Sequence, residues 1–366
     1  MTLFLIAVAQ AAAVRPERVI LFMIIAAAGA ALPLSAAWRE LRRPRDAEPL
    51  TIDANYRKDD RFFATSFATK VSTTVGSAPR DPGPYAVVFR DAEVIDTLAG
   101  SYTVDRGREP ESILDLHEDL VVAKGAHMPK EALVGRDATL RDGSSIRALK
   151  AERDVRVGRD VAIERWIDAG RSMHVRPGSD LGIRATALGA ILLDRDVTFR
   201  FLAAPAIVVG DRVPAVEVPQ LPEKHADLEL GKRMRKRADG AVVIDDDFVM
   251  DRGTVYASNI IARGDVTLGE GATLIGSIHC DGSIVLEHES RVTGTIVAEH
   301  DITIGAGASV DDHAVAPGRA ILKRGARVGT PHRVTTLLAD EAIDLAWESI
   351  VYGRIVTYGT GHSSRS

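Results

Sequence analysis

Apolar residues recur every 18 positions along the C-terminal half of this chain, and polar residues fill the places between them. Ile260, Ile278 and Ile296 fall at that spacing, as do Val266, Ile284 and Ile302, then Leu268, Leu286 and Ile304, then Leu274, Val292 and Val310. A fixed period in this range is the signature of a solenoid. Within each unit the apolar residues alternate with polar ones, which is the period of a β-strand. Gly269-Glu270-Gly271 and Gly305-Ala306-Gly307 punctuate the strands as turns. The pattern predicts an all-β fold, a parallel β-helix in which three short strands and three turns make one coil per period. The aliphatic columns become a core ladder whose ends could carry assembly. A fifth column, Ala262, Cys280, Ala298 and Ala316, is small throughout, so the lone cysteine is expected inside the ladder rather than at a reactive surface.

The same period divides the chain. A regular β-helix is expected over 242–331 and a degenerate one over 117–210, where Val157, Val175 and Leu193 align. Between them, 211–241 reads as a linker or excursion. It contains Pro214, Pro219 and Pro222, which make continuous ladder pairing unfavourable. It also contains a basic, helical-looking stretch from Lys232 to Arg237 that could touch anionic lipid. Upstream, 46–116 reads as a β-rich region with a turn at Asp81-Pro82-Gly83-Pro84. Downstream, 332–366 reads as a C-terminal amphipathic helix, with Leu338, Ala342, Leu345, Ala346 and Ile350 on one face, followed by a polar, disordered tail. Such a helix would cover the last coil.

The N-terminus departs from this pattern. Residues 19–38 carry no charge, and a helix of that length spans a hydrocarbon layer about 30 Å thick. Arg39, Arg42, Arg43 and Arg45 follow at once, an excess of positive charge that places the C-terminal side in the cytoplasm. Residues 1–45 are therefore expected to form a membrane anchor in the inner membrane, with 2–14 as a second, short apolar segment. The alternative is an exported chain whose signal peptide is cleaved near Ser35-Ala36-Ala37.

Composition narrows the function classes. The net charge of −5 argues against nucleic acid as the main partner. One cysteine excludes an intrachain disulfide. His279, His288 and His300 share no column, so no stacked metal site is expected. Arg263-Gly264-Asp265 spells an adhesion tripeptide but reads as a turn. No phosphate-binding glycine loop, nucleophile elbow or HExxH helix is present. No cofactor and no catalytic residue is expected.

The segment GDVTLGEGATLIGSIHCDGSIVLEHESRVTGTIVAEHDITIGAGASV resembles the bactofilins, bacterial polymer-forming cytoskeletal proteins with a β-helical core. The shared pattern is carried by Val266, Leu268, Gly271, Ala272, Leu274, Gly276 and Ile278, and again by Ile284, Leu286, Val292, Gly294 and Ile296. The resemblance covers about a quarter of the chain. It implies nucleotide-independent self-assembly, attachment to membrane lipid and scaffolding of envelope-associated proteins, so the implied partners are further copies of this chain, lipid and such proteins. The alternative is an enzyme, a hexapeptide-repeat acyltransferase with a left-handed β-helix, because Ile260, Val266, Ala272, Ile278 and Ile284 also fall six apart. Thr267, His279, Val285 and Thr303 stand where that class favours glycine and count against it.

Overall fold

The structure is a computed structural model that describes residues 59–76, 86–89, 93–215 and 233–365. The expected anchor, residues 1–45 with Arg39, Arg42, Arg43 and Arg45, lies outside the described residues, as does the turn at 81–84. Among the described residues no helix is long and apolar enough to cross a membrane.

Short strands separated by tight turns wind into a parallel β-solenoid of about 14 turns. At the ordinary spacing of about 4.8 Å between strands, that makes a rod roughly 60 Å long. In the C-terminal half the 18-residue step is the hydrogen-bonding register itself: Ile260 pairs with Ile278 and Ile278 with Ile296, while Val266 pairs with Ile284 and Ile284 with Ile302. Ile260, Val266, Leu268, Leu274, Ile278, Ile284, Leu286, Val292, Ile296, Ile302, Ile304 and Val310 are all no more than 1 % exposed. The N-terminal half winds the same way with a less constant step. Leu120 pairs with Ala138 at the full step, but Ala138 pairs with Val155 one position short of it and Ala190 with Ala206 two short. Those shortened coils are what blur its repeat.

The corners are held by side chains that each serve the next coil. Asp247 Oδ1 accepts the backbone N–H of Asp265 at 2.9 Å, Asp265 Oδ1 that of Ser283 at 2.7 Å, and Asp301 Oδ1 that of Arg319 at 2.7 Å. Asp119, Asp137 and Asp154 form the equivalent ladder in the other half, at 3.0–3.1 Å. A corner turn otherwise leaves backbone donors without partners, so a stack of carboxylates satisfies them coil by coil. Gly264 and Gly282 follow from this ladder, since a Cβ at either would collide with the carboxylate of Asp247 or Asp265 beneath it. The Arg263-Gly264-Asp265 tripeptide is thus a corner, with its glycine over the aspartate of the previous coil and its own aspartate under the glycine of the next.

Four expectations are corrected. The C-terminal helix is absent: Thr335–Ala339 and Ala342–Leu345 are strands, and Ile350–Ser363 is a strand rather than a disordered tail. Residues 330–334 are an insertion, so Ala314 pairs with Leu337 23 positions on, and Ala320 likewise with Ile343, before the step returns to 18 between Leu337 and Ile355. The insertion shifts the apolar columns out of phase and makes two strands imitate a helical face. Next, the winding begins at Glu93–Leu98 rather than near 117, since Ile95 already pairs with Ile113. The region before it contains a helix, Phe62–Gly76, as well as the strand Ala86–Phe89. Finally, the basic stretch before Val242 is no helix: Met234–Lys236 is a strand, antiparallel to Val242–Ile244.

The two halves form one rod, and they run in opposite directions along it. The last coil of the first half, Thr198–Val209, pairs antiparallel with the last coil of the second, Ile350–Ser363. Pairs such as Phe199 with Gly361, Leu202 with Ile355 and Val208 with Ile350 carry all three faces across the joint, separated by two register shifts. Both C-terminal coils are therefore interior. The ends of the rod are the two N-terminal coils, and each is closed on one face by an antiparallel strand, Ala86–Phe89 at one end and Met234–Lys236 at the other.

Candidate functional site

The polar groups with the tightest geometry lie at the joint and beside it. Where the chain enters the rod, Arg61 donates two hydrogen bonds to the buried carboxylate of Asp168, at 2.7 and 2.6 Å, and Thr186 Oγ1 donates a third at 2.5 Å. The preceding Asp60 accepts from Arg354 Nε of the second half at 2.7 Å, and its carbonyl accepts from Arg184 of the first at 2.8 Å. The Arg184 guanidinium lies over the Phe201 ring, 3.9 Å from its centroid, a cation–π contact. Two consecutive residues thus clip both halves together. The helix Phe62–Gly76 then runs outward along the first half. Its hydroxyls bond back one turn, as Thr69 Oγ1 does to the Thr65 carbonyl at 2.9 Å and Thr73 Oγ1 to that of Thr69 at 2.7 Å. Its apolar face meets the rod: the Phe67 ring packs edge-on to Trp166 at 5.5 Å, and Val71 buries against Ile95 and Ile113.

On another face of the second half, Arg291 and Arg327 share Asp311. Arg291 contributes Nε at 3.0 Å and Nη2 at 2.5 Å to one oxygen, and Arg327 Nη2 lies 2.9 Å from the other. Arg327 also donates to the Gly329 carbonyl at 3.3 Å. Burial holds the Arg327 pKa below its ordinary value, and the Asp311 charge opposes that shift. These arginines line a groove of about 820 Å³ beside the joint, with Arg212, Pro214, Trp347 and Glu348.

Among the described residues no three His, Cys, Asp or Glu side chains converge as a metal site would require. His279, His288 and His300 point outward from different columns, and His288 lies 3.9 Å from Glu270. No family profile, no curated protein and no solved structure matches this chain.

Cys280 lies within the small-residue column, paired between Ala262 and Ala298, and is fully buried. Burial pushes its thiol up to about 11. Roughly one molecule in a thousand then holds the thiolate at pH 8, and only the thiolate is nucleophilic. Iodoacetamide is expected to label the folded protein no faster than it unfolds, with full labelling in denaturant. Stoichiometric labelling of the folded protein within minutes would refute this placement.

Sequence reasoning located the ladder but not the joint, the Arg61–Asp168 clip or the Arg291–Asp311–Arg327 cluster. The clip joins residues 107 positions apart, and no spacing rule reaches that far. Arg291, Ser309 and Arg327 do recur at 18, a polar column visible in the sequence.

Proposed function

We propose that this chain is a membrane-anchored β-helical scaffold that assembles end to end and organises envelope-associated partners, in the manner its resemblance to bactofilins implies. One observation carries the reading: the rod has two outward N-terminal ends, and each closes only one of its three faces. Among the described residues no strand pairs with the outer edge of Tyr102–Val104 at one end, or of Phe248–Met250 and Val255–Ala257 at the other. An open strand edge is a row of backbone donors and acceptors that templates pairing with another chain. The dry aliphatic interior adds a matching apolar cross-section at each end, so joining needs stacking and no chemistry.

The test is negative-stain electron microscopy of the full chain in detergent, without nucleotide. Rods joined into multiples of roughly 60 Å are expected. The Phe248 N–H points inward to the Asp265 carbonyl at 2.8 Å, so the neighbouring Val249 N–H faces the open edge. Val249→Pro removes that donor from an exposed position and is expected to shorten or abolish the chains of rods while leaving the circular dichroism spectrum unchanged. Single rods at every protein concentration, or coenzyme-A-dependent acyl transfer by the purified chain, would sink the proposal.

A further inference from the structure

The outward residues of one face form a single column that runs from one end of the rod to the other through the joint. In the first half this column contains Ile95, Ile113 and Trp166, and the helix Phe62–Gly76 covers it. At the joint Phe201 pairs with Val356. The column then continues in the second half through Leu338, Val315, Val297 and Ile261, in register with one another across His279. Ile95 and Ile113 are no more than 2 % exposed under their helix. Val297, Val315, Leu338 and Val356 are half-buried, and no described residue covers them as the helix covers the first half.

The geometry points to this half-column as the docking site of an amphipathic helix from a partner protein, with an aliphatic face, basic residues along one flank and its C-terminus toward the rod's outer end. Three features specify that occupant. The first is continuity with the interface already filled: the chain's own helix lies along these coils, with Phe67 against Trp166 and Val71, one turn on, against Ile95 and Ile113. A helix turn of about 5.4 Å nearly matches the coil spacing of about 4.8 Å, so one apolar residue per turn meets one coil. Five coil steps from Val356 to Ile261 make about 24 Å, the length of about 16 helical residues. The second is the margin of the stripe, where Asp281, Glu299 and Asp340 are exposed and take part in no ion pair among the described residues, a row that calls for lysine or arginine on the partner. The third is the outer end, where Arg235, Arg237 and Arg263, with Asp281 at the inner rim, line a hollow of about 500 Å³ floored by Val243 and Ile261, and Arg237 also pairs with Asp239 at 3.4 Å. Arg235 and Arg263 share the single carboxylate of Asp245, at 3.7 and 3.2 Å. The guanidinium groups around that hollow offer donors to the negative end of a helix dipole and its free carboxylate.

This inference deepens the partner half of the scaffold reading but does not require rods to join. The probe is a fluorescent synthetic helix of that same length, with leucine or valine at every third or fourth position, lysines along one flank and a free C-terminal carboxylate. Its anisotropy is titrated with the full chain in detergent. Saturable binding is expected, weaker by about tenfold or more with Val297→Lys plus Leu338→Lys, and by a similar factor with Asp281→Lys plus Glu299→Lys. A peptide whose lysines are replaced by glutamate is expected to bind at least about tenfold more weakly. Unchanged melting of the variants establishes that they fold, since all four positions face outward. Absence of binding, equal binding of a scrambled peptide, or unchanged affinity in both double variants would overturn the proposal. So would loss of rod-to-rod association or of liposome binding in the Val297→Lys plus Leu338→Lys variant, because the face would then belong to a second copy or to a lipid surface. Sedimentation of the Val249→Pro variant reads end-to-end assembly separately, so failure of that reading leaves the peptide measurement intact.

Discussion

Ile278→Asp is expected to prevent the second half of the rod from folding. The side chain is 1 % exposed and lies between Ile260 and Ile296, with Ile284 and Leu286 of the same coil also fully buried. The surrounding columns are aliphatic, so no donor or cation reaches the new carboxylate. A buried carboxylate without a partner takes up a proton and still costs several kcal/mol of lost hydration, and the lost isoleucine leaves its packing behind. That total approaches the whole stability of a domain, about 5–15 kcal/mol. Val285→Asp, one strand further on at an outward and partly exposed position, is the matched control and should shift stability by about 0.5 kcal/mol or less. Limited proteolysis tells the two apart: Ile278→Asp should lose protection across 242–365, whereas Val285→Asp digests like the parent. Wild-type melting of Ile278→Asp would mean that the column is not a packed core.

The second large effect is expected at Asp311. Its carboxylate is the shared partner of two arginines whose side chains are only 10 % and 7 % exposed. Asp311→Ala leaves two buried guanidinium groups on the coils either side of its own, with the anion between them removed. Deleting one partner of a buried ion pair typically costs about 3–5 kcal/mol, because the remaining charge stays desolvated. Arg327 already has its pKa depressed by burial and by the nearby Arg291 charge, and the Asp311 charge is the largest effect that opposes this. Asp311→Asn keeps an acceptor but not the charge, and should fall between wild type and Asp311→Ala in denaturant midpoint. A midpoint for Asp311→Ala indistinguishable from wild type would show that the cluster does not stabilise these coils. By contrast, Arg324 and Glu348 are also hydrogen-bonded, at 2.8 Å, but both are exposed, and removing their contact should be nearly silent.

The core of the second half was legible in the sequence because one physical constraint repeats without interruption. Each coil must place an aliphatic residue under the last one, so the register of Ile260, Ile278 and Ile296 is printed as spacing. The corners were legible in part, since Gly264, Gly282 and Gly318 each follow a corner aspartate, Asp247, Asp265 and Asp301, by 17 positions, where that carboxylate needs its space. What the spacing could not show is anything that changes it. The insertion at 330–334 shifts the later columns, and Leu338, Ala342 and Leu345 then mimic a helical stripe although Leu337, Ile343 and Leu345 are the residues that point inward. The helix Phe62–Gly76 carried the opposite fault. Phe67, Val71 and Val75 have helical spacing, but Thr and Val make up much of the segment and favour strands on propensity alone. The joint is illegible for a deeper reason: antiparallel partners run against each other in sequence, so no constant offset connects Thr198 with His362 and Val208 with Ile350.

That joint also imposes an order in time. Every other pairing in the solenoid links neighbouring coils, never further apart than Ala314 and Leu337, whereas the joint reaches from Val208 to Ile350 and from Thr198 to His362. Coils can therefore form one upon another as the chain is made, but the outer edge of Thr198–Val209 has no partner until the whole of the second half has been synthesised. At about 5–20 residues per second, the finished first half waits roughly 7 to 30 seconds with a long strand edge open to the cell. Neighbouring nascent chains on one message would present the same edge at the same moment. Closing the joint within one chain rather than between two is then a contest of effective concentrations, and the Asp60–Arg354 and Arg61–Asp168 contacts, which bind the chain's own entry segment across the seam, favour the chain that closes on itself.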